Sequence, residues 1–106
     1  MTTYLGNAFS LNMVEVGAKG VQADIQPMRP EDVPVDARSI IGHEDMAAIV
    51  AGILKREVVV DRETVLLHVG DVLYVAQYRG PRLPTGTTQL PAEASLEFYC
   101  VTLRRK

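Results

Sequence analysis

The chain has no tryptophan, one cysteine and two histidines in 106 residues. Each scarcity excludes something. A single cysteine, Cys100, forms no internal disulfide, and its setting "LEFYCVTL" reads as a buried strand with a core thiol. Two histidines and one cysteine at these spacings match no zinc pattern, and no carboxylate pair has a metal-binding look. Neither a metal nor a cofactor is therefore expected. With aromatics at 6%, Val, Leu, Ile and Ala must fill the core. A P-loop and a dinucleotide fingerprint are both missing. No apolar run is long enough to span a bilayer, and no signal-peptide pattern opens the chain, so no membrane partner is expected. The net charge of -2 excludes a globally basic nucleic-acid binder, and duplex nucleic acid is not an expected partner. A reducing cytoplasm is the simplest compartment.

What is present fits one domain over residues 1–106, with 47% apolar residues for a modest core. "TYLGNAFSLNM" opens as a strand, with a short helix possible after Phe9. Gly17 and Gly20 bracket a turn, and "VQADIQP" alternates as a half-buried strand. "MRPEDVPVD" reads as a loop and "ARSIIG" as a short extended segment. From Glu44 the period changes. Met46, Ala47, Ile49, Val50, Ile53 and Leu54 follow helical spacing, with Glu44 and Asp45 in the first turn and Lys55 and Arg56 in the last. "VVVDRETVLLHV" reads as two short strands joined by "DRE". "GDVLYVAQY" is a further strand, "RGPRLPTGTTQLP" a loop, and "ASLEFYCVTL" a strand apolar on both faces, suited to a central place. The fold class expected is α/β, a mixed sheet of about five strands flanked by helices.

Three stretches could carry chemistry. His43 stands where the helix begins, and free N–H groups there favour an anion. A histidine beside a bound phosphate can give a proton to a leaving oxygen. By spacing alone the simpler reading is an exposed helix-start residue without a task. Asn7, Ser10 and Asn12 end a strand, where phosphates or ribose hydroxyls can be held, or where they simply cap a short helix. Arg79 and Arg82 lie on a Gly/Pro-rich loop, and arginine's planar fork suits phosphate oxygens. Ser10 lacks a G-x-S-x-G elbow, and His68 reads as a strand or turn residue.

Together "YLGNAFSLNM", "IIGHED" and "LYVAQYRGPRLPTGTTQLP" resemble the viral anti-CRISPR ring nucleases and their host-encoded relatives, over nearly the whole chain. The resemblance implies a homodimer whose interface binds cyclic tetra-adenylate, and metal-independent cutting to linear di-adenylate. It implies His43 as general acid on the 5′-oxygen, with the substrate's own 2′-hydroxyl as nucleophile. Arg82 and Ser10 complete the implied catalytic group. Asn7, Asn12, Gly42, Arg62, Gln77, Arg79 and Thr85 are the implied substrate-binding residues. Two departures stand out. Thr85 occupies the place where relatives commonly carry a glutamate, and Asp45 stands where some carry serine. The first implies slower cutting. It keeps open a second reading, a non-catalytic protein that binds or sequesters a cyclic oligoadenylate. A third is an accessory protein that shares only the fold.

Overall fold

A computed structural model describes residues 2–105. Five strands form one sheet in the order β2-β5-β4-β1-β3. They are β1 (Thr3–Gly6), β2 (Val21–Met28), β3 (Arg38–Ser39), β4 (Val72–Arg79) and β5 (Ser95–Arg105), with the helix α1 (Glu44–Leu54) between β3 and β4. β1 runs parallel to both neighbours, β3 and β4. β5 is antiparallel to β4 and β2. The sheet is therefore mixed. Among the described residues it carries one α-helix, with single 3-10 turns at Leu11–Met13 and Pro30–Asp32. No helix among the described residues is long and apolar enough to cross a membrane.

The alternation in β4 sorts its side chains. Tyr74, Ala76 and Tyr78 join α1 and Phe98 on one face. Leu73 and Val75 join Tyr4, Val101 and Leu103 on the other. α1 buries Met46, Ala47, Ile49 and Val50. Each fully buried aliphatic side chain contributes roughly 1.5–3 kcal/mol. β5 is paired on both edges, although β4 holds the middle of the sheet. Cys100 is half-buried rather than a core thiol, and burial raises the pKa of its thiol. That disfavours the thiolate a nucleophile would need.

Three expectations need correction. Residues 55–71 contain no strand, only a lone bridge between Val14 and Leu67. The apolar residues that suggested strands serve opposite faces instead. Val58 packs on the helix side, and Val65 and Leu67 on the other, so the segment wraps around the β3 edge. The helix also ends two residues early, at Leu54. Lys55 is its C-cap in the left-handed conformation (φ 57°, ψ 44°), and Arg56 lies beyond, donating to the carbonyls of Val33 and Pro34. Finally, Arg79 is the last residue of β4 and not part of the loop.

Candidate functional site

The carboxyl ends of β1, β3 and β4 lie side by side, because these strands are parallel and adjacent. In open α/β sheets, ligands lie beyond such ends. The connection after β1 carries Asn7, Ser10 and Asn12. The one after β3 carries Gly42 and His43, and the one after β4 carries Arg82 and Thr85. Gln77 and Arg79 are on the last turns of β4 itself.

Asn7, Ser10 and Asn12 line one cavity of about 320 Å³, together with Glu63 and Thr64. Ser10 precedes the 3-10 turn at Leu11, yet its hydroxyl makes no capping bond. It is left available to something in the cavity.

At the start of α1, His43 is the N-cap. Its Nδ1 accepts from the Asp45 N–H at 3.2 Å, and its carbonyl accepts from the Ala47 N–H at 3.0 Å. An accepting ring nitrogen carries no proton, so Nε2 bears the hydrogen in this arrangement. The residue before it, Gly42, accepts at its carbonyl from Arg62 Nε at 2.9 Å. The two terminal guanidinium nitrogens of Arg62 have no protein partner among the described residues.

The loop after β4 is pinned at its root. Gly80 has φ 155°, and a Cβ there would lie 2.6 Å from Ala94 Cβ. Only glycine fits that approach. The Tyr78 hydroxyl then donates to the Pro81 carbonyl at 2.5 Å. Further along, the Gly86 N–H donates to Asp45 Oδ2 at 3.0 Å, joining the loop to the first turn of α1. Arg82 is exposed, and no hydrogen bond or ion pair holds its guanidinium among the described residues.

Not every predicted residue comes together. Gln77 and Arg79 line a second cavity, of about 370 Å³, with Phe9, Val75, Tyr99 and Val101 on the sheet face opposite α1. Gln77 Nε2 donates to the Tyr78 carbonyl at 3.2 Å. Arg79 is ion-paired with Glu97, which also accepts from the Tyr99 hydroxyl at 3.0 Å. The segment after β1 separates the two cavities, with Phe9 turned to one and Ser10 to the other.

Two features escaped the sequence reading. One is the Asp45–Gly86 link, which joins residues 41 apart in sequence. The other is Glu63, drawn beside Asp61 toward Arg38. In an extended segment residues i and i+2 share a side, so "DRE" already separates Arg62 from the two acids. The Asp61 carboxyl is held below its ordinary pKa, first by the Glu63 N–H, against the opposing effect of burial, and then by Arg38.

These features define a class: a small open α/β domain whose polar, cationic edge is built from the loops after adjacent parallel strands. The chain belongs to the STIV B116-like family, which matches residues 3–97. Among solved structures it is similar to B116 of Sulfolobus turreted icosahedral virus, at 20% identity and a TM-score of 0.72. That likeness covers 96% of this chain and 99% of the viral one, and it bears on the fold. A comparison with curated proteins finds no match.

Proposed function

We propose that the protein is a metal-independent ring nuclease that binds cyclic tetra-adenylate in the cytoplasm and cleaves it to linear di-adenylate, lowering type III CRISPR signalling. One observation carries the reading. Arg62 and Arg82 have no acidic partner among the described residues, and both are tied to the surroundings of His43. Arg62 is tied through the Gly42 carbonyl, and the Arg82 loop through Gly86 and Asp45. Guanidinium groups without an acidic partner, on segments tied to a helix start, suit phosphate oxygens.

In this mechanism the ribose 2′-hydroxyl, giving up its proton to solvent water, attacks the adjacent phosphorus and the P–O5′ bond breaks. A 2′,3′-cyclic phosphate forms, and the 5′-oxygen takes a proton from His43 Nε2. A protonated His43 cannot keep accepting from the Asp45 N–H. The arriving phosphate takes over that amide and leaves Nδ1 free of it. Arg62 and Arg82 offset charge on the phosphate, while Asn7, Ser10 and Asn12 hold ribose and phosphate oxygens. A homodimer suits a two-fold ligand. Two copies meeting over the open sheet face would add the partner's Gln77 and Arg79 to the groups around the ring.

Labelled cyclic tetra-adenylate incubated with the protein in excess chelator tests this. Conversion to di-adenylate that His43→Ala abolishes is the expected result. Tight retention without turnover supports the second reading, a sequestering protein, to which Thr85 in the glutamate position gives weight. Neither binding nor turnover sinks both.

A further inference from the structure

Glu63 poses a problem for the cavity it lines. The residue lines, with Asn7, Ser10 and Asn12, the space assigned above to phosphate and ribose oxygens. A fixed negative charge within one Debye length of a phosphate repels it. Arg38 meets that charge. Its Nη2 donates to Glu63 Oε2 and reaches Asp61 Oδ2 at 3.4 Å. Arg38 comes from β3, 25 residues from Glu63 in sequence, so the fold brings the pair together. Glu63 is itself fixed at its backbone, where its N–H donates to Asp61 Oδ1 at 3.0 Å. With Arg62 beside them, Arg38, Asp61 and Glu63 form a group without net charge.

We propose that Arg38 is a positioning residue for the anionic ligand, drawing the Glu63 carboxylate aside and neutralising it so that the Asn7–Ser10–Asn12 cavity accepts phosphate. Arg38 does not touch the ligand. It acts through Glu63, and the inference rests on the reading of this cavity as an anion site. Without Arg38 the group carries one net negative charge at the cavity wall. The carboxylate is then free to turn inward and accept from the Ser10 hydroxyl or the Asn side chains that a phosphate would use.

A charge-neutralising double-mutant cycle tests this. Retention of cyclic tetra-adenylate is measured for the parent, Arg38→Gln, Glu63→Gln and the double variant, with thermal melting as the check on folding. In parallel, inorganic pyrophosphate is titrated while the amide shifts of Asn7, Ser10 and Asn12 are followed by NMR. Both charges are exposed, so Arg38→Gln is expected to weaken binding only about fivefold at low salt, and less at high salt. Glu63→Gln alone is expected to bind at least as tightly as the parent, and the double variant to regain parental affinity. Arg38→Lys, which keeps the charge, is expected to retain most of it.

A double variant as weak as Arg38→Gln would place Arg38 in direct contact and overturn the proposal. So would an Arg38→Gln protein that binds like the parent, or a loss of binding in Glu63→Gln, which leaves Arg38 in place. If the parent neither retains nor cleaves cyclic tetra-adenylate but pyrophosphate still shifts the cavity amides, the ring-nuclease reading falls and the pyrophosphate series alone decides on Arg38. If pyrophosphate shifts none of those amides in the parent, the anion cavity itself is refuted.

Discussion

The two ends of the parallel strands are built by opposite rules. At the amino end, before β4, the buried Asp71 has its acceptors filled. It takes the Thr2 N–H and the His68 N–H, each at 2.9 Å, and the His68 ring stands 3.6 Å away. At the carboxyl end, Ser10 makes no cap bond and Arg82 has no partner among the described residues. One end spends its polar groups on holding the chain, and the other leaves them open to a ligand. Stability and function should therefore separate by position along the same strands.

The largest test of that separation is His43→Asn. Asparagine keeps a cap acceptor at the helix start but has no proton to give near neutral pH. Turnover of cyclic tetra-adenylate is expected to fall by roughly a hundredfold or more. The melting temperature should stay near that of the parent. A large drop in melting temperature would mean that the carboxyl end also holds the fold.

Asp71→Ala is the opposite experiment. It leaves two part-buried N–H groups without their acceptor and is expected to cost about 1 kcal/mol in denaturant unfolding. Ligand retention at a temperature where the variant is folded should not change. The same group predicts an acid arm. Burial opposes ionisation of Asp71, but the His68 and Thr2 N–H groups outweigh it and hold its pKa below the ordinary value. A depressed carboxyl supplies stability above its unfolded pKa and loses it as pH falls through the folded one. Unfolding free energy should therefore decline below about pH 4 in the parent, and less steeply in Asp71→Ala.

Arg82→Gln and Arg79→Gln sharpen the comparison within one strand-loop unit. Arg82→Gln is expected to weaken retention of the ring about tenfold without moving the melting temperature. Arg79 already has Glu97, so its variant should weaken retention less. Equal losses would assign both cavities to the same ligand with equal weight.

The smallest effect is expected from Lys55→Gly at the far end of α1. A non-glycine residue in the left-handed conformation is strained, and glycine there should stabilise by about 0.5–1 kcal/mol in denaturant unfolding. Turnover should be untouched.

Much of the architecture is legible in the sequence where local pattern and tertiary need agree. The helical period from Glu44 to Leu54 survives because α1 buries one stripe. β2, β4 and β5 are readable from their alternation. Residues 56–67 mislead because "VVV" and "VLL" are apolar for two different faces, and only the wrap around β3 explains both. Lys55 carries no glycine signal for the helix stop. At the site, the resemblance singled out His43, Ser10 and Arg82 residue by residue. The Arg38–Glu63 pair and the Asp45–Gly86 link join residues 25 and 41 apart, and no local spacing announces them.

The edges of the sheet bear on assembly. On one side β3 is two residues long, and the wrapping segment covers it. Ser39 Oγ donates to the Val59 carbonyl at 2.6 Å, and the Asp61 N–H donates to the Ile41 carbonyl at 3.0 Å. On the other side β2 carries Pro27, which has no N–H to offer a neighbour, and exposes Gln22 and Gln26. Neither border is a template for another copy's strand. Polymerisation by strand addition is thereby discouraged.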